Sequence, residues 1–347
     1  MAKIRKLAFR DVPKLKKMIS MLSENENFSF GFESYVPFPI NWLHSLLPLR
    51  FRFFKESYVS ISDKEINGMI SLNAFKGNPY SWKINKLFLR ENAYDTGRQL
   101  VEYVVARYGA SGANTFTVRV EDCHDELMEL FSKGCGFRVC SSEQLWKMEN
   151  IKLKKPSLEN VIFRPFKNSD AEEVKNLYND LILPHFRYSL SKTKHEFTDI
   201  LFCGLNKTTY FKYILEKNGP NPIKGYFSIQ TDDNVNFILD INIVSGFNDY
   251  YPDVLNFAIG QILARKKDFN LYIINKKYQN CGAKNEEYLS QNGFKCVKYQ
   301  IVMVKDFYKR IQQEEKYTKP AIVFSDISRN PAFKISINNT AENSSIN

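Results

Sequence analysis

The sequence predicts a mixed α/β protein, an α+β unit with a mixed sheet, built twice in one chain. Three observations carry this. The length, 347 residues, suits two domains of ordinary size. Apolar residues make up 44% and aromatic residues 14%, with 28 Phe and 19 Tyr, enough to fill two bulky cores. Above all, the chain repeats itself. IRKLAFRDVPKLKKMI (4–19) aligns with FRPFKNSDAEEVKNLY (163–178) at an offset of 159: Arg5 with Arg164, Asp11 with Asp170, Leu15 with Val174, Met18 with Leu177. INGMISL (66–72) aligns with IKGYFSI (223–229) at an offset of 157, and Gly136-Phe137 aligns with Gly293-Phe294 at the same offset. Islands in one order at nearly constant spacing mark a duplicated unit. The reading is a first domain over 1–150, a linker over 151–160, a second domain over 161–310, and a helical extension with a polar, disordered tail over 311–347.

Each unit opens with a short strand and an amphipathic helix whose start carries Asp11 or Ser169-Asp170, residues suited to a helix N-terminus. An irregular segment follows, then a three-strand meander. In the first unit the strands are SYVSIS (57–62), NGMISLNAF (67–75) and SWKINKLFL (81–89). In the second they are 208–217, 223–230 and 236–244, with Asn, Asp, Gly and Pro in the turns. A helix comes next (97–109; 252–266), then a strand (115–120; 270–275), a shorter helix, Gly-Phe, and a last strand beginning near 138 and 295.

Composition narrows the partners. The net charge is +11, but no basic run reaches five residues and acids are interspersed, so the basic groups read as solvated surface and no nucleic-acid motif stands out. The six cysteines, at 123, 135, 140, 203, 281 and 296, form no CxxC pair and show no metal-ligand spacing, so no metal is expected and the thiols read as reduced. The N-terminus lacks an apolar signal core and no apolar run is long enough to span a bilayer. The expectation is a cytoplasmic protein.

This element order, with Gly-Phe closing the last helix of each unit, resembles the GCN5-related N-acetyltransferase (GNAT) fold in tandem. The resemblance covers the chain except its tail. It implies acetyl-CoA as cofactor and a small-molecule or peptide amine as acceptor. It implies a third meander strand that splays from its neighbour and offers its backbone to the pantetheine arm. It also implies a loop, Gln/Arg-x-x-Gly-x-Gly/Ala, that turns backbone N–H groups and a helix N-terminus toward the pyrophosphate. In RENAYDTGRQLVEYVV (90–105), Leu100-Val101 takes the place of the apolar pair behind that loop. Gly97 is then the last loop position, Asp95 stands at the first glycine position and Asn92 at the Gln/Arg position. One position of three survives. Phe88, Leu89, Arg90, Asp95, Thr96, Gly97 and Arg98 are the expected cofactor contacts. Asp95 either repels the pyrophosphate or caps the helix. The second unit's loop, SGFNDYYPDVLNF (245–257), has no glycine near the helix start, Pro252 removes a donor, and Tyr250 and Tyr251 fill space, so this unit reads as a supporting partner.

Catalysis in this fold commonly uses a base and a tyrosine acid. The tyrosine position holds Ser132, beside Phe131, in the first unit and Leu289, beside Tyr288, in the second; an extra residue in FSKGCGF would bring Phe131 into register. Candidate bases are Glu91, at the end of the splayed strand, and Asp240 in the matching strand. Glu121 and His124, after TFTVRV, lie near the expected acyl site. The ring- and proline-rich stretch 28–54 reads as an acceptor-side wall, as packing between the units, or, with Arg50, Arg52 and Lys55 flanking its apolar run, as a peripheral membrane contact. Three functions follow: an acyl-CoA-dependent N-acetyltransferase with the N-terminal domain active; a catalytically inactive GNAT-like scaffold or ligand-binding protein; or a basic protein docking on nucleic acid or an anionic membrane, against which the scattered charge argues.

Overall fold

The computed structural model describes residues 3–21, 27–29, 56–63, 65–90, 94–149, 161–198, 209–217 and 222–307. Most of 28–54, the linker and the tail lie outside the described residues. The first repeat runs β1 (Lys3–Lys6), a 3₁₀ turn Phe9–Asp11, α1 (Val12–Met21), β2 (Asn27–Ser29), β3 (Glu56–Ser62), β4 (Glu65–Phe75), β5 (Asn78–Leu89), α2 (Tyr94–Gly109), β6 (Thr115–Glu121), α3 (Asp125–Glu129) and β7 (Arg138–Met148). The second runs β8 (Val161–Pro165), a 3₁₀ turn Asn168–Asp170, α4 (Ala171–Leu181), α5 (Arg187–Leu190), α6 (Lys194–Phe197), β9 (Thr209–Lys217), β10 (Ile223–Thr231), β11 (Asn236–Ile243), α7 (Tyr251–Leu263), β12 (Asn270–Lys276), α8 (Gly282–Gln291) and β13 (Phe294–Asp306).

The residues that match between the repeats do the same work. Arg5 grips Asp11 with two hydrogen bonds of 2.6 and 2.7 Å, and Asp11 accepts another from the Ala8 N–H at 2.9 Å. Arg164 grips Asp170 at 2.7 and 3.1 Å, and Asp170 accepts from the Lys167 N–H at 2.8 Å. In each copy a forked guanidinium ties the first strand to the turn that starts the helix. Gly136 and Gly293 both have positive φ, 68° and 83°, which a side chain disfavours, and both turn the chain into a last strand.

The strands join in one sheet, ordered β1-β3-β4-β5-β6-β13-β7-β12-β11-β10-β9-β8, with β2 paired to β5 off this path. The centre of that order is an exchange. β13, the last strand of the second repeat, lies against β6 of the first (Met303 opposite Val118), and β7 lies against β12 (Ile273 opposite Trp146). The two exchanged strands pair antiparallel with each other. The sequence places each last strand with its own repeat. The exchange instead leaves no sheet edge exposed at the seam.

The cores follow the exchange. α2 packs Leu100, Val101 and Val104 onto Ile70, Leu87, Phe116 and Val118, and Met303 from β13 joins them. α7 packs Val254, Ala258 and Ile259 onto Phe227, Leu239 and Leu271, and Trp146 from β7 joins them. On the opposite face, α1 sets Leu15 and Met18 on Val59, Met69 and Phe88, and α4 sets Val174 and Leu177 near Ile214, Val302 and Val304. The described residues all fall within one compact unit, Met1–Tyr308.

Candidate active site

The first repeat opens a cleft beside β5. The β4–β5 register slips between Ser71, opposite Lys86, and Leu72, opposite Ile84, so Asn85 is the extra residue of a β-bulge. Its amide donates to Asn73 Oδ1 at 2.6 Å. β5 runs parallel to β6 only from Ser81–Lys83, opposite Thr115–Thr117. Beyond the bulge the two strands part, while β6 continues along β13 to Glu121. One edge of Lys86–Phe88 pairs with β4, so β2, opposite the same three residues, occupies the other edge, the one facing the cleft. A segment of the chain itself therefore lies where the resemblance implies a pantetheine arm.

The expected cofactor contacts divide. Phe88 is buried among the α1-side residues. Leu89 packs against α2, and a Cβ built on Gly97 would stand 2.9 Å from Leu89 Cδ1 and 3.1 Å from Leu130 Cδ2. Gly97 thus permits close approach of helix and strand, and the space above it is filled by core side chains. Thr96 is half-buried, with its methyl close to Gly68. Arg90, Asp95 and Arg98 are exposed around the start of α2; the Arg90 N–H donates to Asn67 O at 3.0 Å, and Arg98 pairs with Glu102 at 3.0 Å. Only these three and Thr96 could face a phosphate. Glu91 and Asn92 lie outside the described residues.

The strand end at Glu121 gathers more than the sequence indicates. Glu121 pairs with Lys298. The ligand atoms of Glu121, Cys123 and His124 lie within 4.8 Å of one another, although the cysteines show no clear metal-ligand spacing to a histidine in the sequence. The His124 N–H donates to Glu121 O at 3.1 Å and closes the turn. At the tyrosine position, a π-helical turn Leu130–Gly134 accommodates an extra residue, and Phe131 is fully buried, edge-on to Phe137 at 5.3 Å. Ser132 donates to Met128 O at 2.6 Å.

The second repeat differs beside its third meander strand. β11 pairs with β10 without a register slip and runs parallel to β12 from Asn236 to Asp240. Where the strands would part, Lys276 reaches across from β12 to both carboxylate oxygens of Asp240, at 2.6 and 2.7 Å, and to Asn242 at 3.3 Å. Asp240 is thus held in an ion pair. Tyr251 is buried edge-on to Tyr288 at 5.3 Å, and Tyr250 accepts a hydrogen bond from Lys217 at 3.0 Å. Aromatic rings and an ammonium close this cleft.

Solved structures share this architecture. A tandem GNAT protein from the clavulanic acid biosynthesis pathway superposes with a TM-score of 0.56 at 11% identity, over 88% of this chain and 98% of that one. A GCN5-related N-acetyltransferase from Sphaerobacter thermophilus gives 0.56 at 12%, over 88% and 95%. A probable N-acyltransferase from Enterococcus faecalis gives 0.52 at 10%, over 88% and 73%. The chain has the tandem GNAT fold. No family model and no curated protein matches the sequence.

Within this tandem GNAT fold a polar strip crosses the seam on the α4 face. Buried Glu143 on β7 accepts two hydrogen bonds from Arg119 on β6, at 2.8 and 3.1 Å, and one from Tyr278 at 2.9 Å. Burial alone would raise the Glu143 carboxyl, but the Arg119 guanidinium outweighs it and holds the group well below the usual range. Gln300 on β13 stands opposite both Glu121 and Glu143 in the ladder. It is completely buried and neither of its amide atoms has a partner. None of these seam residues is visible as a motif, because their partners lie on strands that the exchange brings together. Among the described residues, no helix is long and apolar enough to cross a membrane.

Proposed function

We propose that the chain is an acyl-CoA-dependent N-acetyltransferase-like protein in which the first repeat carries the thioester site and the second supports it. The supporting observation is the bulge at Asn85 followed by the parting of β5 from β6. Once β2 gives up the edge it holds, such a cleft would turn backbone donors of β5 toward a thioester carbonyl, and the exposed start of α2 would offer N–H groups to a phosphate. Acetyl would pass directly from sulfur to an amine held beside it, with proximity supplying much of the acceleration. The amine must lose a proton, and Glu121 and His124 are the groups gathered near the cleft that can accept one. The acceptor is a small-molecule or peptide amine.

A second reading, a GNAT-like scaffold without catalysis, is favoured by β2 on the cleft edge of β5 and by the absence of a phenol at the acid position, where Phe131 and Ser132 stand.

One experiment separates the two. If acetyl-CoA competes with β2 for the edge of β5, Phe28→Pro, which weakens that short pairing, increases the acetyl-CoA-induced rise in melting temperature. Asp95→Lys, at an exposed position, tightens binding several-fold by replacing repulsion of the pyrophosphate with attraction. The absence of any acetyl-CoA shift in the wild type and in both variants selects the scaffold.

A further inference from the structure

We propose that Glu121, Cys123 and His124 form a binding site for a divalent transition-metal ion of the zinc class at the end of β6. The three ligand atoms already lie within 4.8 Å of one another. Bond lengths of about 2.0–2.3 Å to a tetrahedral ion would draw them to about 3.3–3.8 Å. The contraction needed is about 1 Å, within the reach of rotamer changes because Cys123 is exposed and Glu121 and His124 are half-buried. The backbone holds them ready: the His124 N–H closes onto Glu121 O, and the Asp122 N–H is anchored to Tyr299 O at 3.2 Å. Three ligands on one four-residue turn cost little entropy to assemble.

The donor set selects the ion. A thiolate, an imidazole and a carboxylate suit zinc and its neighbours, whereas calcium and magnesium prefer oxygen alone. Three protein ligands leave a fourth position open, the pattern of sites that keep a water or a substrate group. The sequence EDCHDE (121–126) surrounds the turn with carboxylates, which favours a cation. Lys298 does not exclude one: it pairs with Oε1 of Glu121, and the other oxygen can bind a metal.

Gln300 supplies an independent observation. It stands directly opposite Glu121 in the ladder, so the two side chains share a face and neighbour one another. Its amide is fully buried with neither atom bonded. An unsatisfied buried amide is costly, and a water or other group on the open position of the ion would satisfy it. The inference goes beyond the proposed acyl transfer and is read without it: a loaded site would use Glu121 and His124 as ligands, so the ion would inhibit a transfer that needs either as a base.

The full chain, stripped with a chelator, is titrated with Zn(II) by calorimetry and with Co(II) by absorption. One equivalent should bind at micromolar concentration or tighter, with a thiolate-to-cobalt charge-transfer band. Cys123→Ser, at an exposed position, should abolish the band and weaken binding at least about tenfold, and Gln300→Leu should weaken it about tenfold with the band retained. The melting temperatures of the metal-free forms show that the variants fold. No saturable binding, or a band that survives Cys123→Ser, overturns the site whatever the result with acetyl-CoA.

Discussion

The two clefts of this chain descend from one pattern and have ended differently. In the first repeat a bulge at Asn85 turns β5 away from β6 after a short contact, and the chain's own β2 pairs with the edge so freed. In the second, β11 has no bulge against β10, stays with β12 as far as Asp240, and is then fastened to it by Lys276. The frame around both recurs: each copy has an Arg–Asp fork, Arg5–Asp11 or Arg164–Asp170, and a positive-φ glycine, Gly136 or Gly293, while Arg164 also holds Glu216 at 2.8 Å. The two repeats share what the fold needs and differ in what the cleft holds. A backbone opening can be entered by a competing strand or ligand. A cleft closed by a half-buried ion pair and packed rings cannot be entered without breaking them.

The largest expected effect tests whether the seam locks the two clefts together. Glu143→Gln leaves the largely covered Arg119 without its counter-charge and should cost about 3 kcal/mol, read by chemical denaturation. Replacing both partners by apolar residues should recover most of that loss, and a small loss for the single variant would show that the exchanged strands do not depend on the pair. Next, Lys276→Met should cost about 2 kcal/mol, less because Asp240 can partly return to water. It should not change the acetyl-CoA response. A gain in binding would break the comparison by showing that the second cleft is only masked.

The smallest effect tests the shared frame. Asp11→Asn and Asp170→Asn should each cost about 1–2 kcal/mol at neutral pH, and by similar amounts. The hydrogen bonds from Arg5 and Arg164 lower the two carboxyl pKa values in the folded chain. Their contribution is therefore complete above the unfolded value, near pH 4, and is lost as pH falls through the lower folded values. The difference between wild type and either variant should shrink over that acidic window. Unequal losses at pH 7 would mean that the matched residues no longer do matched work.

Much of the frame was legible in the residues. Arg5, Asp11 and their partners 159 residues on announced equivalent strand-to-helix turns. The meander strands expected at 57–62 and 81–89 fall within Glu56–Ser62 and Asn78–Leu89. The extra residue in FSKGCGF lies in a π-helical turn with Phe131 buried. The site was less legible. Motif spacing makes Gly97 the last loop position, but the helix already begins at Tyr94, so Gly97 lies within α2 with Leu89 and Leu130 packed over it. Cys123 and His124 are adjacent and match no metal-ligand spacing in the sequence; only the turn after β6 brings their ligand atoms and that of Glu121 within 4.8 Å.

The sequence by itself determined a duplicated α/β unit and the residues that start each helix and turn each last strand, because helix ends, turns and alternating strands are set by neighbours a few residues apart. Only the tertiary structure decided that β7 and β13 change places, that β2 takes the free edge of β5, that Lys276 closes the second cleft, and that Gln300 is buried beside Glu121 without a partner. The physical reason is that strand pairing is made by backbone groups that every residue carries. Alternation marks a segment as a strand, but its partner is chosen by the competition among all free edges once the chain has folded.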